Sequence, residues 1–306
     1  MPKIATIGFF DGVHRGHRFL FAQLHELAKH HQLTPTIYTF DRHPKELLTG
    51  QAPAMLTTNT EREALLCAYG EVHFLDFAAV QHLTAEQFMR YLHDEQDVAA
   101  LLIGYDHHFG SDRLKGFSEY EKIARKIGLH VERAYECLVD GLPVSSSRIR
   151  KLLKESQIDQ VNRLLGYTYS VSGVVEHGNA IGATLGFPTA NIRLNSAKQL
   201  PDSGVYAVEV HLQTQQSSSN AIFERSDLQG VPRRSTPYKG VANIGTNPTV
   251  GNDHLSLEVH LLDFQGDLYD QSLTISFLSF LREERKFDSL EELKNQITAD
   301  ISHVTN

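Results

Sequence analysis

The sequence predicts two regions of different class: an α/β region with a parallel sheet, then a small antiparallel β-barrel with a C-terminal helix. Three observations predict it. In the first half, β-prone apolar runs alternate with stretches of helical period. In the second half, short β-prone runs follow one another, divided by Gly, Pro, Asn and Asp. The length of 306 residues accommodates about two domains at roughly 150 residues each.

The elements follow in order. Residues 3–10 form a short apolar run, read as a buried strand. Leu20, Leu24, Leu27 and Ala28 then recur at helical spacing. Residues 33–40 (LTPTIYTF) are β-rich, residues 60–69 helical and residues 72–77 β-prone. Residues 84–93 start as a helix should, with Thr84 as N-cap and Gln87 three positions on. Residues 98–104 (VAALLIG) read as a fully buried strand, residues 120–128 as a helix closed by Gly128, and residues 129–135 as the next strand. This βαβα order implies a parallel sheet with helices on both faces. In the second half, residues 169–176, 205–212, 239–244, 255–264 and 273–280 are short strands of a closed antiparallel sheet. Leu290, Leu293, Ile297 and Ile301 mark a closing amphipathic helix. A hinge is expected over residues 156–166, giving domains 1–165 and 166–306. Residues 213–236 are polar and Ser/Gln-rich, an extended loop.

Composition excludes several classes. Lys plus Arg number 29 and Asp plus Glu 37, a net charge of −8. An acidic chain is a poor general binder of nucleic acid, whose affinity rests on Lys and Arg. Two cysteines, Cys67 and Cys137, make no disulfide framework and point to a reducing, cytoplasmic setting. No apolar run reaches the roughly 18 residues a membrane span needs. The chain is unusual in its 17 histidines.

Residues 8–17 (GFFDGVHRGH) join the first strand to the first helix. In an open parallel sheet, ligands sit at such junctions, and the unpaired N–H groups of a helix start attract phosphate. His14 and His17, three apart, fall on one helix face. Two imidazoles there can donate hydrogen bonds as negative charge builds on a phosphate. Asp41 and Asp106 follow strands, where ligand-contacting residues are common. Ser145, Ser146 and Ser147 precede a helical stretch (RIRKLLKE) and can cap it and offer hydroxyls to phosphate. Arg150 can grip phosphate with its planar fork.

Residues 8–17 resemble the HxGH signature of the nucleotidylyltransferase superfamily. More narrowly, they resemble the form in bacterial bifunctional riboflavin kinase/FAD synthetases. Residues 39–44 (TFDRHP), 104–110 (GYDHHFG) and 144–150 (VSSSRIR) resemble later motifs of that family, in order. Residues 178–191 (GNAIGATLGFPTAN) resemble its kinase glycine-rich loop and PTAN motif. Residues 240–249 (GVANIGTNPT), 257–264 (LEVHLLDF) and 281–289 (LREERKFDS) resemble further kinase segments.

The resemblance implies a Rossmann-like HxGH nucleotidylyltransferase domain followed by a riboflavin kinase β-barrel with a C-terminal helix. It implies riboflavin, FMN and ATP as substrates, FMN and FAD as products, and Mg²⁺ as cofactor; a homo-oligomer is compatible with it. His14, His17, Arg150 and Glu258 take catalytic roles, with Glu258 as the general base toward the ribityl hydroxyl. Gly8, Phe10, Asp11, Gly16, Ser145, Ser146, Ser147, Gly178, Gly182, Gly186, Thr189 and Asn191 line nucleotide and phosphate. Thr189 and Asn191 suit Mg²⁺, and Asp41, Asp106 and Arg282 contact flavin. Two positions depart from the family pattern. His107 stands where Phe is usual, and Ala183 where Arg or Lys is usual; Lys239 and Arg282 are the nearby cations that could replace the lost charge.

Overall fold

The computed structural model describes residues 1–177, 186–194, 198–213, 236–246 and 255–305. Two compact units divide between Ser146 and Ser147. In the first, five parallel strands lie in the order β3-β2-β1-β4-β5. They are β1 (Lys3–Ile7), β2 (Thr34–Phe40), β3 (Glu71–Leu75), β4 (Val98–Ile103) and β5 (His130–Arg133). Central strands β1 and β4 are almost wholly buried, while the edge strands β3 and β5 are half-exposed. That is the burial a covered parallel sheet imposes on its middle and its edges.

Helix α1 (Arg15–His31) follows β1 and buries Leu20, Phe21, Leu24 and Ala28. α2 (Pro44–Thr49) and α3 (Asn59–Leu66) come between β2 and β3. α4 (Phe77–Val80) and α5 (Ala85–Arg90) precede β4, and α6 (Phe117–Ile127) precedes β5. The expected capping box at Thr84 and Gln87 is present, and Gly128 closes α6 in the left-handed conformation. A short hairpin, β6 (Leu138–Val139) with β7 (Leu142–Pro143), was not anticipated from the sequence. Tyr38, Met89, Leu92, Leu101 and Tyr120 are among the side chains of the core between sheet and helices.

In the second unit, β8 (Ser170–Glu176), β9 (Ala190–Leu194), β10 (Gly204–Gln213), β11 (Tyr238–Thr246), β12 (Leu255–Leu261) and β13 (Ser272–Arg282) close a barrel. Its order is β10-β11-β12-β9-β8-β13, with every pairing antiparallel. Val205, Tyr206, Ile244, Leu257, Ile275 and Phe277 are buried. The C-terminal helix, Leu290–Thr305, is present as expected.

Three expectations need correction. The hinge expected over residues 156–166 is largely helix: α8 (Ile158–Leu165) buries Ile158, Val161, Leu164 and Leu165, and Gly166 caps it. Those apolar residues repeat at helical spacing, and that packing outweighs the flanking Ser and Gly. α7 (Ser146–Lys154) begins at Ser146, so Ser146 and Ser147 belong to its first turn and only Ser145 precedes it. Ala190 and Asn191, read with the PTAN loop, open strand β9 (Ala190–Leu194). Of the polar loop at 213–236, residues 214–235 lie outside the described residues.

Candidate active sites

In the first unit, the chain leaves β1 at Ile7 and turns sharply before α1. Phe10, Gly12 and Val13 all have positive φ. The turn folds the Phe10 ring back over Gly8, where an added Cβ would lie 2.7 Å from a ring carbon. Only glycine leaves that space. His14 is the N-cap of α1 rather than a residue within it, and its Nδ1 accepts the His17 backbone N–H at 3.4 Å. A neutral ring that accepts at Nδ1 carries its proton on Nε2.

The two imidazoles stack with centroids 3.5 Å apart and planes 19° from parallel. His14 is buried. Burial first, and the neighbouring His14 second, hold the His17 pKa well below the ordinary histidine value. His17 is therefore neutral at pH 7, and its ring meets the Phe10 ring edge-on at 5.2 Å. At Gly16 an added Cβ would sit 3.2 Å from the Val144 carbonyl oxygen, so the serine segment passes close to this helix start. Ser146 Oγ donates to the Asp11 carbonyl at 2.9 Å. The structure thus gathers Gly8, Phe10, His14, Gly16, His17 and Ser146 around one helix start.

Asp11 has a different environment from the one expected of a phosphate-facing residue. Its buried carboxylate accepts the backbone N–H groups of Leu56 and Thr57 and the Thr57 hydroxyl, each at 3.0 Å. Thr57 Oγ1 also accepts the Gly12 N–H at 3.1 Å. Asp11 fastens the turn to the segment before α3, an internal role that also suits a carboxylate's capacity for several donors. Arg62, on α3, was missed. It is fully buried, donates to the Phe40 carbonyl and lies 3.9 Å over the Phe9 ring. Burial lowers its pKa to about 10. The signal was an Arg at a core-facing position beside Leu65 and Leu66.

Asp41 is exposed at the end of β2, and its carboxylate accepts the Arg42 N–H at 2.9 Å. Asp106 borders a cavity of about 410 Å³ together with Tyr105, His107, Lys115 and Arg133. His107 Nε2 is buried there with no hydrogen-bond partner, and burial lowers its pKa to about 4. Arg150 is half-buried on α7, in the second compact unit.

In the barrel, strand register assembles the second site. Glu258 on β12 stands opposite Asn191 on β9 and opposite Asn243 on β11. Thr189 Oγ1 donates to Glu258 Oε2 at 3.4 Å. A carboxylate thus sits between two amides, with a hydroxyl beside it, on the wall of a cavity of about 330 Å³. Asn243 and Glu284, which also line it, were not singled out from the sequence; Asn243 Nδ2 donates to Glu284 Oε1 at 3.2 Å. His260 lines it too, its ring nitrogen 2.8 Å from the Pro188 carbonyl.

Arg282 reaches this cavity, but its guanidinium is held in a bidentate pair by Asp300 of the C-terminal helix, with Nη2 to Oδ2 at 2.8 Å. Lys239, considered as a replacement charge, donates instead to the Val304 carbonyl at 3.0 Å. Gly186 has positive φ and leads into Phe187 on the cavity wall. Gly178, Gly182 and Ala183 lie outside the described residues.

A parallel sheet with stacked histidines at its first strand-to-helix junction and, in the other unit, a barrel with a carboxylate opposite two asparagines define a two-unit class of phosphoryl- and nucleotidyl-transfer proteins. The comparisons with known proteins agree. Family profiles described as FAD synthetase and as Riboflavin kinase match residues 1–148 and 165–306. A Bifunctional riboflavin kinase/FMN adenylyltransferase from Pseudomonas fluorescens is 39% identical, covering 98% of this chain and 91% of the relative. One from Escherichia coli (strain K12) is 36% identical, covering 97% and 90%.

A crystal structure described as a macrolide-efflux protein from Streptococcus pneumoniae superposes with a TM-score of 0.85 at 29% identity, covering 100% of this chain and 94% of that one. Among the described residues, no helix here is long and apolar enough to cross a membrane. The chain belongs to the bifunctional riboflavin kinase/FMN adenylyltransferase family.

Proposed function

We propose that the two reactions of this family are divided between the two regions, with 1–165 making FAD and 166–306 making FMN. The chain phosphorylates riboflavin with ATP, giving FMN and ADP, and then adenylylates FMN with a second ATP, giving FAD and pyrophosphate. The observation that carries the assignment of roles is Glu258 set between Asn191 and Asn243 with the Thr189 hydroxyl at 3.4 Å.

In the kinase step, the ribityl 5′-hydroxyl oxygen bonds to the γ-phosphorus of ATP. Its proton passes to the Glu258 carboxylate, and the bond to the ADP oxygen breaks. The Thr189 hydroxyl donates to the carboxylate, and Arg282, fixed by Asp300, holds its part of the cavity wall for the flavin. The donor set fits a hard cation: a hydroxyl, an amide oxygen and a nearby carboxylate suit Mg²⁺. Thr189 and Asn191 would hold it, and it would neutralise charge on the nucleotide phosphates.

In the adenylyl step, an FMN phosphate oxygen bonds to the α-phosphorus of ATP and pyrophosphate leaves. That nucleophile is already an anion, so no side chain need remove a proton. Catalysis is positioning plus charge stabilisation. His14 donates from Nε2, a neutral His17 gives a second N–H, and the start of α1 adds its backbone N–H groups. Gly8, Phe10, Gly16 and the serines shape the phosphate side; Arg150 is assigned to the same phosphates, and Asp41 and Asp106 to the flavin. The two free cysteines fit a cytoplasmic setting.

The test supplies purified protein with riboflavin, Mg²⁺ and ATP, followed by chromatography. FMN accumulates first, then FAD. Absence of FMN overturns the kinase assignment; FMN supplied directly and recovered without FAD overturns the other.

A further inference from the structure

The histidine surplus has a second cluster, which neither reaction uses. His31 ends α1, and His130 and Glu132 lie on β5, the edge strand of the parallel sheet. His130 and Glu132 are two apart on a strand and so share one face. Their side chains meet His31 there. His130 Nε2 lies 3.0 Å from Glu132 Oε1, and His31 Nε2 lies 3.7 Å from the same oxygen. The ligand atoms of all three fall within 4.8 Å of one another.

We propose that His31, His130 and Glu132 form a binding site for a borderline divalent transition-metal ion of the zinc class. Two donors about 2.0–2.1 Å from a tetrahedral zinc lie about 3.3 Å apart. The observed 3.0 and 3.7 Å bracket that spacing, so coordination needs only small rotations of exposed side chains. Two imidazoles and one carboxylate select zinc, copper or nickel over magnesium, which prefers an all-oxygen shell. Half-exposure of the three residues leaves the remaining positions to water.

The site is distinct from the catalytic histidines. His14 caps the start of α1 and His31 ends it. Seventeen helical residues at 1.5 Å each separate the two ends by about 25 Å. His31 comes from the helix and the other two from the strand, so an ion there ties the end of α1 to the sheet edge. It binds the folded chain alone and therefore raises the melting temperature.

The experiment uses the full chain, free of any affinity tag, with Zn²⁺ as probe. Calorimetric titration is expected to show one tightest equivalent. The double variant His31→Asn/His130→Asn loses it, while His25→Asn, an exposed histidine in the middle of α1, keeps it. Conversion of FMN to FAD with Mg²⁺ and ATP is unchanged in the double variant. Retention of the tightest equivalent by a folded double variant overturns the proposal. A second measurement needs no variant: trace Cu²⁺ broadens the ring resonances of His31 and His130 before those of other histidines. Broadening that begins at His14 and His17 overturns it.

Discussion

In the parallel-sheet unit, the central side chains are imidazoles stacked at a helix start; in the barrel, the central side chain is a carboxylate placed by strand register opposite asparagines of both neighbouring strands. Under the proposed division of the reactions, the contrast follows the nucleophiles. A hydroxyl must lose a proton as it attacks phosphorus, so the barrel presents an acceptor. A phosphate is already charged, so the first unit presents donors and keeps its own charge low: burial leaves His17 neutral. The architectures differ to match. A helix start supplies N–H groups from one continuous segment, whereas the barrel brings Asn191, Asn243 and Glu258 together only through strand register.

The sharpest way to break this contrast is at Glu258. Glu258→Gln keeps the shape and removes the proton acceptor, so FMN formation is expected to fall by about 10²–10⁴-fold. Conversion of supplied FMN to FAD should persist. If both rates fall together in a folded variant, the barrel carboxylate is not specific to the first reaction. The complementary change is His17→Asn, which shortens one donor and breaks the stack. FAD formation should drop by about 10²-fold or more, with riboflavin phosphorylation intact. Measuring both rates on both variants gives a crossed pattern that neither a folding defect nor a shared site can produce.

Asp11 tests whether the first site depends on the latch its carboxylate makes with Leu56 and Thr57. Asp11→Ala strands the buried N–H groups of Leu56 and Thr57 and the Thr57 hydroxyl. Hydrogen bonds to a charged acceptor contribute enough that the loss should destabilise the fold by about 3 kcal/mol. The chain has no Trp, so urea unfolding is best followed by circular dichroism, which is weighted toward the helix-rich first unit. An unchanged midpoint would mean the latch holds nothing.

Much of this was legible because each unit carries one dominant period. Alternation of apolar runs with helical spacing marked the parallel sheet, and short strands divided by turn residues marked the barrel. The capping box at Thr84 was readable because its two partners, Thr84 and Gln87, lie only three positions apart. What escaped was of longer range. The role of Asp11 depends on residues some 45 positions away, and nothing local distinguishes it from a phosphate ligand. Strand β9 was hidden because Gly186 and Pro188 dominate its approach, while its pairing with β12 comes from distant sequence. α8 was read as a hinge because Ser156 and Gly166 bracket it, although Ile158, Val161 and Leu165 already showed its buried face. For the barrel site, motif resemblance found Thr189, Asn191 and Glu258, but only register revealed Asn243 as the second flank.

The smallest expected effect concerns His107, and it bears on the acid sensitivity of the first unit. Its Nε2 is buried without a partner, and burial lowers its pKa to about 4, against about 6.5 in an unfolded chain. Between those two values the unfolded chain binds a proton that the folded one does not. Stability therefore falls as pH drops from about 6.5 toward 4 and is level above that window. His17, shifted the same way, adds to the slope. His107→Phe removes one of these titrations and keeps an aromatic ring on the cavity wall. Melting temperatures of the two proteins should therefore keep a constant difference above pH 7. Below about pH 6.5 they should change in the variant's favour, by an amount smaller than the Asp11→Ala loss. Melting curves that stay parallel from pH 7.5 down to 4.5 would show that His107 takes up its proton as readily in the folded unit as in the unfolded chain.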